Sequence, residues 1–262
     1  MNGEIKLVKQ RSPLLNYVPL LILATSFIAC WLFLQVSSIN ATTLAKGEEK
    51  ELFYLALGDS LTAGIGATET NYLRLSAFVP QLTSFLREKQ PVRVENNGIP
   101  GLTSGQLLRY LREGLGMDRK LAEADLITMT IGANDLLQLL AHVWEEKLNE
   151  AQLKTILQNY SRHMQEIFNH IRRENPTVPI YILDLYSPYG ADHPLHQIST
   201  EVVSSFNAQL AQLADAEKHI YVVSVYPSFL NRERELTHIL DGDPHPNDQG
   251  YRVILEAFQK FF

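Results

Sequence analysis

A serine early in the chain and a histidine late in it supply the reactive groups that nucleophilic acyl transfer requires. Ser60 comes two residues after the apolar run 52–58, and His245 lies in the segment Asp-Pro-His-Pro-Asn at 243–247. A serine hydroxyl is a poor nucleophile at its own pKa, so an imidazole must accept its proton and a carboxylate must orient that imidazole. We therefore predict Ser60 as a nucleophile and His245 as its base, with Asp243 as the neighbouring acid.

Each of these residues also has an ordinary structural explanation. A serine after a strand commonly caps a helix or closes a turn, and a histidine in an acidic, proline-flanked segment is typical of a solvated loop. The segment 58–62 also lacks the second glycine of the G-x-S-x-G elbow, which disfavours an α/β-hydrolase. Gly64 and Gly66 have neither the P-loop sequence nor the dinucleotide-binding spacing, so they do not indicate a nucleotide site.

Two further residues could stabilise the negative charge that develops on an acyl oxygen. Gly98 could donate its backbone N–H, although a glycine there could equally serve a turn. Asn134, in the segment Gly-Ala-Asn-Asp at 132–135, could donate its side-chain amide or simply cap the following helix. One donor to an oxyanion is typically worth about 10²–10³ in rate.

The elements that must position these residues are five short apolar runs that alternate with amphipathic segments. The runs predict strands at 53–57, 92–96, 126–131, 180–185 and 220–225. Helical patterns lie at 72–88, 103–113, 135–174 with a break, 200–216 and 247–262. This alternation predicts an α/β fold with a parallel sheet and helices on both faces. Ser60, Gly98 and Asn134 follow strand ends, where parallel sheets bind ligands, and His245 lies in the loop before the final helix.

Composition limits the classes of partner and the redox chemistry. The chain has 262 residues and a formal net charge of −6, a balance that argues against a nucleic-acid partner. Cys30 is the single cysteine, which excludes an internal disulfide. The segment at Asp192, His193 and His196 could suggest a metal site, but no further ligands accompany it, so we interpret it as a loop. We predict neither a metal nor a cofactor.

The first fifty residues predict a membrane attachment followed by a tether. Residues 14–36 are uncharged and long enough to span a bilayer, and a basic segment, 1–13, precedes them. The positive-inside tendency places residues 1–13 in the cytoplasm and the domain at 51–262 outside the cell membrane, after a polar tether at 37–50. We favour a retained signal anchor. The alternatives are a secretory signal cleaved near Thr43–Ala45 and a lipoprotein acylated at Cys30.

Together these motifs resemble the SGNH, or GDSL-type, hydrolase superfamily. Gly58-Asp-Ser60-Leu, Gly98, Gly132-Ala-Asn134-Asp and His245-Pro match its four blocks in order over residues 52–262. The resemblance implies a three-layer flavodoxin-like fold with five parallel strands. It also implies a Ser–His–Asp triad and an oxyanion hole formed by Ser60 N–H, Gly98 N–H and the Asn134 side chain. In overall layout the chain is most similar to membrane-anchored lipase/acylhydrolase proteins of Gram-positive bacteria.

One position departs from the family pattern. The acid of that family usually stands three residues before the histidine, where this chain has Gly242. Asp243 and Asp241 are the remaining candidates, and we prefer Asp243 because Pro244 and Pro246 restrict the backbone locally. We interpret Asp59 as structural, since it lies beside the nucleophile instead of behind the imidazole.

The predicted activity is hydrolysis of carboxylic esters, with lipid or lysophospholipid esters as the first substrate class. The apolar segment 135–144 could line an acyl pocket or could be the buried face of a helix. A deacetylase acting on cell-envelope polysaccharide is the alternative enzyme. A membrane-tethered binding module with a vestigial site is the alternative from a different class. The sequence leaves the oligomeric state open.

Overall fold

A parallel sheet forms the centre of the computed structural model, which describes residues 50–137 and 150–262. Its strands are β1 (Leu52–Gly58), β2 (Val92–Gly98), β3 (Leu126–Thr130), β4 (Ile180–Leu183) and β5 (Ile220–Val223). The order across the sheet is β2-β1-β3-β4-β5, and every neighbouring pair is parallel. β2 thus lies on one side of β1, and β3, β4 and β5 lie on the other. This is the strand order of flavodoxin-like folds. The crevice that such sheets use for ligands opens at the carboxyl ends of β1 and β3.

Helices cover both faces of this sheet. They are α1 (Ser60–Ala63), α2 (Phe78–Arg87), α3 (Ser104–Glu113), α4 (Met117–Glu123), α5 (Glu150–Glu174), α6 (His196–Asp215), α7 (Tyr226–Phe229), α8 (Glu233–Leu236) and α9 (Asp248–Gln259). Residues 133–137 are also helical. Side chains of α3, α4, α5 and α6 share one apolar core, and those of α2 and α9 share the other. The three layers are therefore helix, sheet and helix.

Strand β1 shows why its sequence is an almost unbroken apolar run. Phe53, Leu55 and Leu57 enter the core beneath α3–α6, whereas Tyr54 and Ala56 enter the core beneath α2 and α9. Because side chains alternate between the two faces of a strand, a central strand covered on both sides has no solvated face.

The predicted α/β fold, its five parallel strands and its two helical layers are confirmed, but several boundaries differ. Strand ends agree within two residues. The helix predicted at 72–88 begins only at Phe78, because Asn71 and Tyr72 have left-handed backbones with φ of 51° and 63°. The short helices α1, α4, α7 and α8 were not predicted.

The predicted amino-terminal segments 1–13 and 14–36, and all of the tether except Lys50, lie outside the described residues. The same is true of residues 138–149, which include most of the apolar segment considered as an acyl pocket. Across residues 50–137 and 150–262, none of the helices combines the length and apolarity that membrane crossing requires.

Candidate active site

Ser60 is held at the carboxyl end of β1 by a tight connection into α1. Gly58 has φ of 142°, and a Cβ at this position would lie 2.2 Å from the Thr130 carbonyl oxygen, so only glycine fits. Asp59 then caps α1, because its Oδ1 accepts the Leu61 N–H at 3.0 Å. Ser60 is the first residue of the helix and is 8% exposed.

Asp59 belongs to a buried hydrogen-bond network behind the serine. Its Oδ1 also accepts the Thr130 hydroxyl at 2.8 Å, and Thr62 Oγ1 lies 2.7 Å from that hydroxyl. Burial raises the pKa of Asp59 to about 6, although these hydrogen bonds oppose the rise. The role of Asp59 is thus to shape the turn that carries Ser60.

His245 bridges Ser60 and Asp243. Its Nε2 lies 2.8 Å from Ser60 Oγ, and its Nδ1 lies 2.5 Å from Asp243 Oδ1. A neutral imidazole in the Nδ1–H tautomer would donate to the carboxylate and accept the serine proton. The three side chains therefore form the continuous chain that activation of a serine requires.

Asp243 reaches the imidazole through local backbone geometry. Its Oδ1 also accepts the His245 N–H at 3.0 Å, an Asx turn that fixes a carboxylate two residues before the histidine. Burial tends to raise the pKa of Asp243, but the two hydrogen bonds from His245 and the imidazolium charge outweigh it, so the pKa lies below its ordinary value. Asp241 instead ends a 3₁₀ turn at Ile239–Asp241. Within the part of the chain that the structure describes, the Asp241 carboxylate makes no hydrogen bond with His245.

Contacts from two other regions fix the loop that carries His245. Tyr186, after β4, donates its hydroxyl to the Pro244 carbonyl at 2.9 Å. The His238 N–H donates to the His245 carbonyl at 3.0 Å, and the His238 ring lies 2.8 Å from the Gly66 carbonyl oxygen. These contacts connect the His245 loop to Gly66, which follows α1. Ser60 is the first residue of α1, so the loop and the serine are held close together.

The structure places Asn134 at the site but does not place Gly98 there. Asn134 lines the cavity beside Ser60, and its Nδ2 donates one hydrogen bond to the Leu102 carbonyl at 3.0 Å, which leaves its second N–H for another acceptor. Gly98 is the last residue of β2, and its N–H is already donated to Asn96 Oδ1 at 2.9 Å. Because that N–H has an acceptor and Gly98 does not border the cavity, the prediction that it binds an oxyanion is wrong.

Gly101 borders the cavity in the position expected for Gly98. The Leu102 N–H donates to the Ile99 carbonyl at 3.2 Å, and Gly101 has φ of 82°. Pro100 and Gly101 thus occupy the two central positions of a type II turn, which requires positive φ at the second. Among the described residues none accepts a hydrogen bond from the Gly101 or the Ser60 backbone N–H. The Pro-Gly pair was the signal in the sequence that could have identified this turn.

A largely apolar cavity of about 370 Å³ opens beside these groups. Ser60, His245 and Asn134 border it, together with apolar side chains from the ends of β1, β3 and β4. Those apolar residues include Leu61, Ile65, Ile131, Leu137, Leu183 and Leu185. The cavity can therefore accept an apolar group next to the serine hydroxyl.

The segment considered for metal binding makes other contacts. Asp192 pairs with Arg234, His193 Nδ1 accepts the Leu195 N–H, and His196 Nδ1 lies 2.9 Å from the Tyr189 carbonyl oxygen. Residues 191–194 form turns and His196 begins α6, so this segment is a loop that leads into a helix. Within 50–137 and 150–262, no three potential ligands come together as a metal site would require.

The fold and this arrangement define an ester hydrolase of the SGNH, or GDSL-type, superfamily. Residues 56–253 match the GDSL-like Lipase/Acylhydrolase family, to which the chain belongs. The chain is 32% identical over 212 residues to spore germination lipase LipC of Bacillus licheniformis, with 79% of this chain and 95% of the relative covered.

Solved structures show the same architecture. The lipase Lip_vut3 from a goat rumen metagenome has a TM-score of 0.69 and 29% identity over 80% of this chain and 96% of its own. A variant of a Geobacillus acetyl-xylooligosaccharide esterase has a TM-score of 0.61 and 18% identity over 81% of this chain and 94% of its own. At the latter identity the likeness shows the fold alone.

Proposed function

We propose that the chain hydrolyses carboxylic esters with Ser60 as nucleophile, His245 as general base and acid, and Asp243 as the acid that orients the imidazole. The observation that carries the proposal is the hydrogen-bonded chain from Ser60 Oγ through both ring nitrogens to Asp243 Oδ1, at 2.8 and 2.5 Å. The proposed chemistry is metal-independent: the catalytic groups are side chains and backbone amides of the protein, and water is the second substrate.

The reaction would proceed in two halves. Ser60 attacks the acyl carbonyl while its proton passes to His245, and the imidazolium then protonates the leaving alcohol. Water repeats the sequence on the acyl-enzyme and releases the acid. Three donors are available for the developing oxyanion: the Ser60 and Gly101 backbone N–H groups and the second amide hydrogen of Asn134.

We infer that the preferred ester has an apolar acyl group, as in a lipid or lysophospholipid. The apolar lining of the cavity supports this inference, because it would bury hydrocarbon at about 0.8 kcal/mol per methylene. A relative at 32% identity is described as a lipase, which supports the same class. An acetyl group would leave most of the 370 Å³ unfilled.

Acyl-chain profiling tests the substrate class. With residues 46–262 and nitrophenyl esters from acetyl to dodecanoyl, we expect kcat/KM to rise with chain length over the first several methylenes. A sharp preference for acetyl would contradict the lipid assignment and favour the polysaccharide deacetylase. Leu183→Ala enlarges the cavity, whereas Leu210→Ala shortens a buried side chain of α6 that does not border the cavity. A change in chain-length preference in Leu183→Ala alone would show that the cavity determines this preference.

A fluorophosphonate probe tests the nucleophile separately. We expect stoichiometric labelling of the wild type at Ser60 and none of Ser60→Ala. An unmodified serine in folded protein would contradict the proposal and favour the binding module with a vestigial site.

We further propose that residues 14–36 attach the hydrolase to the cell membrane with the domain on its outer side. The support is the uncharged apolar sequence and the basic residues before it. Fractionation of cells that produce the full chain, followed by protease treatment of intact protoplasts, provides the test. Recovery of the intact chain in the medium would contradict retention, and protection from protease would contradict the orientation.

A further inference from the structure

A second group of serine, histidine and aspartate lies behind the proposed oxyanion site. Ser104 Oγ is 2.5 Å from Asp135 Oδ1 and 2.9 Å from His163 Nδ1, and the Ser104 N–H donates to Asp135 Oδ2 at 2.8 Å. Ser104 is fully buried, so it cannot reach a substrate. The group joins three elements: α3, the helical residues 133–137 and the long helix α5.

The polar atoms of this group define a single direction of donation. Ser104 has one hydroxyl hydrogen, which the Asp135 carboxylate accepts, so the hydroxyl must accept from His163 Nδ1–H. His163 Nε2 then accepts from Arg162, whose Nη2 lies 3.2 Å away. Burial lowers the pKa of His163, a direction that favours the neutral imidazole of this hydrogen-bond pattern. The chain thus runs Arg162–His163–Ser104–Asp135.

Gly105 makes the approach of the imidazole possible. A Cβ on Gly105 would lie 2.9 Å from His163 Cε1, closer than such atoms approach without displacement. Glycine is unfavourable inside a helix, where Gly105 is the second residue of α3. Space for His163 accounts for its presence.

The group of Ser104, Asp135 and His163 adjoins both segments that supply donors to the proposed oxyanion site. Asp135 directly follows Asn134, and Ser104 directly follows the segment from Gly101 to Thr103. Asn134 donates across this gap to the Leu102 carbonyl at 3.0 Å. The carboxylate of Asp135 therefore holds the start of α3 against the helical residues 133–137, which carry the Asn134 amide.

We propose that His163 is a positioning residue for the oxyanion site, acting through Ser104 and Asp135 on Asn134 and Gly101. The inference depends on the proposed esterase function. Donors to an oxyanion contribute to the rate through fixed geometry, so loosening these contacts weakens transition-state binding more than substrate binding.

The main test is the steady-state kinetics of His163→Phe on a nitrophenyl ester, measured well below the unfolding temperature of every variant. We expect kcat to fall about tenfold, less than the loss of a whole donor, with KM changed less than about twofold. His163→Asn, whose amide can donate to Ser104, should recover part of the lost rate. The matched control is His170→Phe, the same substitution at a buried histidine two turns along α5. It should lower stability and leave kcat unchanged.

A double-mutant cycle separates positioning from general destabilisation. In an Asn134→Ala background, we expect the effect of His163→Phe on kcat to shrink from about tenfold to about threefold or less, because only Gly101 is then left for His163 to position. An undiminished effect in that background, a full kcat in His163→Phe, or an equal loss in His170→Phe would overturn the inference.

Gly105→Ala provides a variant in which stability and rate are expected to diverge. Alanine favours the helix, but its Cβ displaces the imidazole, so kcat should fall although the helix is not weakened. This variant also carries the test if His163→Phe fails to fold; an unchanged kcat would then overturn the inference. Ser60→Ala distinguishes failure of the proposed esterase function from failure of the positioning role. Retained hydrolysis there would reject the esterase, whereas abolished hydrolysis with full activity in Gly105→Ala and His163→Phe would reject only the positioning role.

Discussion

The two groups of serine, histidine and aspartate in this protein contain the same residue types in a different order. In the first, His245 lies between Ser60 and Asp243, so the serine proton has a base to accept it. In the second, Ser104 lies between His163 and Asp135, and its proton is donated to a carboxylate. The order of the hydrogen bonds, together with access to the cavity, decides which serine can become a nucleophile.

The largest expected difference is between the two serine variants. Ser60→Ala should reduce ester hydrolysis by at least about 10³-fold, because it removes the attacking atom. Ser104→Ala should retain fluorophosphonate labelling at Ser60 and lose about 1–2 kcal/mol of folding stability with its buried hydrogen bonds. Initial rates and urea unfolding measure the two effects. Comparable loss of activity in both variants with both folded would remove the distinction between the groups.

The two candidate acids give the next largest contrast. Asp243→Asn should lower kcat by about 10²–10⁴-fold, because the amide cannot stabilise the imidazolium and favours the wrong tautomer. Asp241→Asn, in the adjacent 3₁₀ turn, should stay within about twofold of wild type. Parallel kinetics on one ester are sufficient. A loss of kcat confined to Asp241→Asn would show that Asp241, and not Asp243, is the acid that orients His245.

The last expected effect is on stability instead of rate, and it concerns Asp59, which also lies near Ser60 but outside the hydrogen-bonded chain. Its pKa is about 6 in the folded protein against 3.8 for an ordinary aspartate, so the folded state binds more protons between these values. Its contribution to stability therefore falls as pH rises from about 4 to about 6, by on the order of 3 kcal/mol, and then levels off. Asp59→Asn, which keeps an acceptor oxygen, should remove that fall.

Urea unfolding of wild type and Asp59→Asn from pH 4 to pH 7 measures this contribution. The difference in unfolding free energy should grow in favour of the variant across that interval. Parallel curves would show that Asp59 is not held at a raised pKa.

The sequence predicted the fold more completely than it predicted the site. Runs such as 53–57 and 126–131 predicted the strands because a doubly covered strand is apolar throughout. The helix predicted from residue 72 failed at its start, because a left-handed Asn71–Tyr72 pair leaves little trace in an apolar pattern. Short helices such as α7 and α8 have too few turns to show a period.

At the site, Ser60 and Asn134 were predicted from their positions after strand ends, His245 from its place in the acidic loop before the last helix, and Asp243 from its neighbouring prolines. Gly98 was selected because it follows an apolar run, yet β2 extends through it and Asn96 takes its N–H. The contacts of Ser104, Asp135 and His163 span 59 residues of sequence and follow no pattern along the chain. Only packing of α5 on α3 brings them together.

The direction of β1 has a practical consequence for handling this protein. Lys50 pairs with Asp125 just before β3, and Lys89, just before β2, donates to the Phe262 carbonyl. Both Lys50 and Phe262 thus lie at the edge of the sheet where strands begin, about 20 Å along β1 from Ser60. A fluorophore or a solid support attached at either position would leave the mouth of the cavity unobstructed, which suits the protein to immobilised assays of water-insoluble esters.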